Sequence, residues 1–158
     1  MFSIVQSATS YGHARGTFNH FLNETKDRTA RLSGKGVASY GTTQIKIAEA
    51  AASLDAAKTL LYRCCDYGME AVQDKRNISI KEKSQLRANA TFAGNLAGQV
   101  VELLFSLAGG AGLYDKNRIS RALRDMKCMQ AHSTQNWDIN GTNYGRVLLG
   151  LANTDNTL

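Results

Sequence analysis

Proline is absent from the whole chain, and that absence limits what the chain can fold into. Glycine and proline are the strongest breakers of regular structure. Here glycine alone marks the breaks, at Gly34-Lys35-Gly36 and at Gly109-Gly110-Ala111-Gly112. Between these marks the apolar residues recur with helical period. The expectation is an all-α fold in a single domain spanning residues 1–158, long enough to bury about two thirds of its unfolded surface.

Four helices are expected. The first, over about 4–31, turns Val5, Ala8, Tyr11, Phe18, Phe21 and Leu22 toward one side. Gly12 and Gly16, one turn apart, would let another helix approach closely; each costs about 1 kcal/mol in helix propensity, so packing has to outweigh that loss. The second, over about 42–74, spaces Ile45, Ala48, Ala52, Ala56, Leu60, Leu61, Cys64 and Met69 by three or four, with Thr42 or Thr43 as its cap. The third opens on Ser79-Ile80-Lys81-Glu82, the pattern of a capping box in which serine and glutamate satisfy each other's unpaired backbone amides. It continues through Leu86, Ala90, Ala93, Ala97, Val100, Val101 and Leu104 to the second glycine cluster. The fourth begins after Asn117, a suitable N-cap, and is read as continuing past His132. The tail, with Asn140-Gly141 and Asn143, reads as irregular up to Val147-Leu148-Leu149. Four long amphipathic helices with short links imply an antiparallel up-down four-helix bundle.

Composition narrows the partners. The net charge of +6 and pI of 9.4 raise nucleic acid as a ligand. The charge is spread thinly, however, and no Lys/Arg block is interleaved with aromatics, so no nucleic-acid partner is expected. A basic surface serving solubility, or an anionic small ligand, fits better. No run approaches the roughly 18 apolar residues of a membrane span, and no membrane partner is expected. The start, MFSIVQSATSYGHARG, lacks the basic beginning and apolar centre of a signal peptide, so the sequence reads as mature and cytoplasmic. Cys64, Cys65 and Cys128 are odd in number, with one adjacent pair. That is neither a disulfide framework nor zinc-ligand spacing, and buried reduced thiols are expected.

Few residues suggest chemistry. His13 and His20 share a helix face without a third ligand, so no metal is expected. There is no Glu-x-x-His pair, P-loop, nucleophile elbow or dinucleotide fingerprint. The fourth helix is different. Arg118, Arg121 and Arg124 form a cationic ridge near its start, where they oppose the helix dipole, and Asp125 is placed to pair with Arg121. The ridge reads either as a structural Arg–Asp pairing on a solvated face or as an anion site, because helix N-termini with arginine hold phosphates well. His132, seven residues beyond Asp125, reads either as a structural histidine or as a general base.

The string GGAGLYDKNRISRALRDMKCMQAH resembles the C-terminal helical domain of the acyl-CoA dehydrogenases and of their relatives, the two-component flavin-dependent monooxygenases. The matching features are Gly109-Gly110, the run Arg121-Ala122-Leu123-Arg124-Asp125, and His132. The segment Tyr144-Gly145-Arg146-Val147-Leu148-Leu149-Gly150 resembles the close of the same domain, and 44–57 resembles its second helix. Dehydrogenases of this type carry a catalytic glutamate just after the Arg-Asp helix. Here that neighbourhood reads His132-Ser133-Thr134.

The resemblance therefore implies the monooxygenase branch, an oxidoreductase in which His132 stands near flavin and aromatic substrate as the base that assists deprotonation of a phenol. By the same resemblance Arg31 and Ser33 hold a flavin nucleotide across a subunit contact, and Gly109 and Gly110 form the turn that meets it. Arg121 and Arg124 belong to the same edge. Ser106 stands where the dehydrogenases often have glutamine, and Arg118 where proline usually opens the helix. Members of the family precede this bundle with a helical and a β-barrel domain, which this sequence lacks. Three roles follow. The chain is part of a flavin monooxygenase (FMN or FAD) working with a second chain that supplies the missing half and with a flavin reductase. Or it is a stand-alone bundle catalysing a biosynthetic step without cofactor. Or it is a non-catalytic oligomerisation or partner-binding module. A homo-oligomer is expected.

Overall fold

The computed structural model describes residues 2–30 and 33–155. The expected all-helical bundle is present, with one helix more than the sequence suggested. In chain order the helices are α1 (Phe2–Asp27), α2 (Gly41–Gln73), α3 (Ile80–Ala108), α4 (Arg118–Gln130) and α5 (Trp137–Leu148). Extended pairing among the described residues is limited to one isolated antiparallel bridge, Thr29 with Gly36, in the α1–α2 connection.

Cross-helix bonds set the directions. The Arg28 Nη2 at the end of α1 donates to Leu107 O at the end of α3, at 2.8 Å. Tyr67 near the end of α2 donates to Glu82 at the start of α3. His13 Nε2 meets Ala122 O at 2.9 Å, and Ser10 Oγ lies 3.9 Å from Met129 Sδ, so α1 and α4 run oppositely. The bundle is thus up-down-up-down, with α3 touching all four other helices. The extra helix, α5, lies along the first half of α3, where Trp137 meets Phe92 at a ring distance of 5.4 Å. Past α5 the chain returns, and Asp155 pairs with Arg87.

By length and composition α3 could span a bilayer. Here its apolar stripe is the centre of the core: Ala97, Val100, Val101 and Leu104 pack with Phe18, Phe21, Leu54, Ile119 and Met126. A helix apolar on most sides is a buried helix.

The expected inner faces need correction on two helices. On α1, Val5 is 61% exposed and Ala8 is exposed; the buried stripe is Ser3, Ser7, Ser10, Ala14, Phe18, Phe21 and Thr25. The period runs back from Phe18 by threes and fours, but serine occupies it in the first turns. Gly12 and Gly16 receive no close helix, since a Cβ on either would meet nothing within 4 Å. On α2, Ile45 is 69% exposed and Met69 is exposed, while Ala50, Leu54, Ala57, Leu61 and Cys64 are buried. Alanine on every side of α2 makes neighbouring stripes look alike.

The caps follow the same pattern of success and correction. The Ser79/Glu82 capping box and the Asn117 cap are both formed. Neither Thr42 nor Thr43 caps α2; its N-cap is Tyr40, with no side-chain bond. Cys64 alone is buried, and burial, with the neighbouring Cys65 second, pushes its thiol up to about 11. Cys65 and Cys128 are exposed, against the expectation of three buried thiols.

The α2–α3 turn is held by a charged cluster. Glu82 accepts from Tyr67, from the Ser79 hydroxyl and amide at 2.7 Å each, and from Arg76 at 3.0 Å. The Tyr67 bond first, then the Ser79 bonds, lower its carboxyl to about 2 from an ordinary 4.5. A depressed carboxyl stabilises the fold above its unfolded pKa, and the contribution fades as pH falls through the folded value. The turn is therefore expected to loosen between about pH 4.5 and 2. Protection of the Ser79 and Glu82 amides, taken relative to unstructured-chain exchange at the same pH, should fall across that window in the native chain, and Glu82→Gln should lack the pH-dependent fall.

Candidate functional site

The glycine turn, the α1–α2 connection and the start of α4 share one end of the bundle. Gly109 ends α3 with φ 62°, a conformation that favours glycine, and a short 3-10 turn runs from it to Leu113. A Cβ on Gly109 or Gly110 would meet nothing within 4 Å, and both are exposed, so this backbone is open to a ligand. Gly112 differs: it is buried, and a Cβ there would meet the Ala108 Cβ at 2.9 Å. Ser33 is brought to the same end by the Arg28–Leu107 bond; its hydroxyl is 2.5 Å from the Tyr40 hydroxyl. Arg31 lies outside the described residues. Ser106 is taken by Lys46 at 3.4 Å.

Asn117 caps α4 by accepting from the Ile119 amide, and the arginines follow. Arg124 turns back to Asp115 and to the Ser120 hydroxyl, each at 3.0 Å. Arg121 makes the expected pair with Asp125, at 3.5 Å, and is 78% exposed. With Arg118 it faces Gly12, His13, Gly16 and His20 of α1 across a groove of about 400 Å³. His13 is committed to Ala122 O, and His20 stands 3.1 Å from Glu24. Among the described residues no three His, Cys, Asp or Glu side chains gather as a metal site.

His132 is not on the fourth helix, as expected, but beyond it. The helix ends at Gln130, and His132 is the exposed N-cap of a short 3-10 turn, Ser133–Gln135. Its Nδ1 accepts from the Thr134 amide at 3.3 Å and lies 2.9 Å from the Thr134 hydroxyl. A ring nitrogen that accepts carries no proton, so the neutral ring bears its hydrogen on Nε2. The Nε2 edge is the one available to a partner.

The expected site residues therefore form two groups. Ser33, Gly109 and Gly110 sit at one end, with Arg121 and Arg124 in the first turns of α4. His132 sits toward the other, roughly 20 Å from the start of α4 and about 12 Å from Arg124 at about 1.5 Å per residue. The residues that hold the His132 turn were not foreseen. Thr134 O accepts from Thr91 Oγ1 at 3.2 Å and from Asn140 Nδ2 at 3.1 Å, and the Gln135 Nε2 donates to Ser7 Oγ at 2.9 Å. The available signal was the Gly94/Gly98 spacing on α3.

A proline-free helical bundle with an open glycine turn and an arginine-rich fourth helix has known counterparts. Residues 4–137 match the C-terminal domain of the acyl-CoA dehydrogenases, and the chain belongs to that family. Among curated proteins it is 29% identical over 153 residues to the oxygenase component of an FADH(2)-dependent resorcinol hydroxylase from Rhizobium sp. (strain MTP-10005), covering 92% of this chain and 37% of the hydroxylase. Among solved structures, XiaF from Streptomyces sp., in complex with FADH2 and glycerol, superposes with a TM-score of 0.91 at 20% identity, over 99% of this chain and 40% of that one. The acyl-CoA dehydrogenase from Geobacillus kaustophilus gives 0.72 at 23% identity, over 92% and 36%. The chain thus spans about two fifths of the length of these proteins.

Proposed function

We propose that the chain is the C-terminal bundle of the oxygenase component of a flavin-dependent monooxygenase that hydroxylates an aromatic or natural-product substrate. The observation that carries this reading is the state of His132. It is exposed, oriented by Thr134, and followed by Ser133 rather than the glutamate a dehydrogenase needs.

The open backbone at Gly109 and Gly110, the Ser33 hydroxyl and the cationic first turns of α4 suit the phosphate-bearing edge of a flavin, FMN or FAD. When bound, reduced flavin would supply the two electrons that activate O2, from which one oxygen atom goes to the substrate and the other to water. The chain's own part is to hold and to shift protons. In the tautomer it holds, the His132 Nε2–H donates to a phenolic oxygen and stabilises the anion left when the phenolic proton passes to solvent. For His132 to act as the base, Thr134 has to release Nδ1 so that the ring can exchange tautomers.

The glycine-turn end of the bundle lies roughly 20 Å along α4 from His132, which favours a homo-oligomer in which one copy offers its nucleotide edge to the flavin beside another copy's histidine. Leu113 and Tyr114 are exposed beside the glycine turn and Trp137 beside the His132 turn, which leaves apolar side chains near both parts of such a shared site. The part that precedes this domain in the relatives, on the same polypeptide or a second one, completes the flavin pocket, and a flavin reductase supplies the reduced cofactor. Two exposed unpaired thiols favour a reducing compartment, the cytoplasm.

Titration with reduced and with oxidised FAD and FMN, with and without that preceding part, tests the proposal. Saturable binding of at least one form is expected once the preceding part is present; no binding under any condition overturns it. Light scattering is expected to return a multiple of 17.2 kDa, and a monomer mass would remove the shared-site arrangement.

A further inference from the structure

The two glutamines on either side of His132 occupy matching positions against α3. The Gln135 side chain, 2% exposed, fills the space where a Cβ on Gly94 would stand. Such a Cβ would collide with Oε1 and lie 3.1 Å from Cδ, with Ser7 Oγ behind it at 3.3 Å. One turn along α3, a Cβ on Gly98 would collide with the Gln130 Nε2 and lie 2.7 Å from its Cδ. Gln130 is the last residue of α4, and Gln135 the last of the turn that His132 caps. Chain entry to and exit from His132 are thus each fixed by a carboxamide seated on a bare Cα of the central helix.

This arrangement is a poor way to gain stability. Each glycine costs about 1 kcal/mol in helix propensity, and ordering a glutamine costs a further 1–2 kcal/mol in side-chain entropy. Burying an amide adds desolvation. Alanine facing leucine at both levels would stabilise α3 against α4 more. What the Gln135 carboxamide supplies is direction: its Nε2 donates to Ser7, itself fully buried, which fixes the turn in register, while Gln130 fills the space beside Gly98. The Thr134 carbonyl is tied from the other side by Thr91 and Asn140, which also bond each other at 3.0 Å. Thr134 in turn orients the histidine ring.

We propose that Gln130 and Gln135, seated on Gly98 and Gly94, are positioning residues that hold His132 in its Nε2–H tautomer at the reacting edge. The inference rests on the reading of His132 as the reacting group, but its test does not depend on activity. The readout is the imidazole 1H–15N correlation of His132, together with exchange of the Thr134 amide, in the full chain above the pH at which the ring is charged.

In the native chain one tautomer and a protected Thr134 amide are expected. In Gln135→Ala and Gln130→Ala, with helix content retained, the ring should average between tautomers and Thr134 should exchange at least about tenfold faster. Gly94→Ala should destabilise the native chain but be tolerated in the Gln135→Ala background, because the carboxamide it strikes is gone. If Gly94→Ala alone does not fold, the two glutamine variants decide. An unchanged His132 tautomer and unchanged Thr134 exchange in both of them overturn the proposal. So does an equal cost of Gly94→Ala in both backgrounds. Absence of flavin binding would overturn the monooxygenase reading and leave these results standing; an unaltered histidine in a flavin-binding chain would overturn only this inference.

Discussion

Leu104→Ala is expected to cost about 3–4 kcal/mol and to lower the melting temperature by about 10 °C. Leu104 is fully buried where α3 meets α1, α2 and α4, among Phe18, Leu54, Val101, Ile119 and Met126. Truncation removes three carbons, a methine and two methyls, from contact with these neighbours. The buried neighbours a turn away on α3, Val100, Val101 and Ala108, are small or β-branched and cannot swing into the space, so most of the cavity remains. Ile45→Ala is the control: the same class of change at an exposed site should move stability by less than about 0.5 kcal/mol. Denaturant melts of the two variants give the comparison. Equal losses would mean that the core does not lie along this face of α3.

His132→Ala, measured in the assembled oxygenase with reduced flavin, is expected to lower kcat for hydroxylation by about 10²–10⁴-fold, the usual range for a positioned proton-transfer group. KM for the substrate should change much less, because an interaction gained mainly in the transition state shows in kcat. The side chain is exposed and caps only a short turn, so stability should fall by no more than about 1 kcal/mol. Activity within threefold of the native enzyme would remove His132 from the mechanism and favour the bundle as an assembly module.

The parts of this fold that local chemistry dictates are readable from residues in order. The α3 stripe is clearest from Val100 to Leu104, where valine and leucine fill it, and the capping box marks the start of the helix. The stripe of α2 is blurred by alanine, which carries too little hydrophobicity to distinguish one face from the next. The hidden face of α1 is polar in its first turns, so apolar spacing pointed outward to Val5.

The α5 helix is missed for a different reason. Asn140, Gly141 and Asn143 disfavour helix locally, but two of them are consumed in tertiary bonds: Asn140 with Thr91 and Thr134, and Asn143 with Thr154. Tertiary structure overrides propensity there. The end of α4 carries no glycine or proline, and what stops it is the cap that His132 makes for the following turn.

The candidate site was legible through resemblance rather than through composition. Arg121 with Asp125 followed from helical spacing, and the break at Gly109 from the glycine cluster, to which the structure adds its positive φ. The supports of His132 did not, since a glutamine reads as surface until the glycine opposite it is known.

The central place of α3 also orders the birth of the fold on the ribosome. Residues up to Gln73 form two helices whose apolar faces look mainly toward a third that has not yet been made. Until about Ala108 has left the exit tunnel, Phe18, Phe21 and Leu54 have little to pack against, and the nascent chain exposes them to whatever is near. Chains emerge at about 5–20 residues per second and exposed apolar surface promotes aggregation. The interval between the end of α2 and the end of α3 is thus a window of several seconds in which these side chains wait for the helix that buries them.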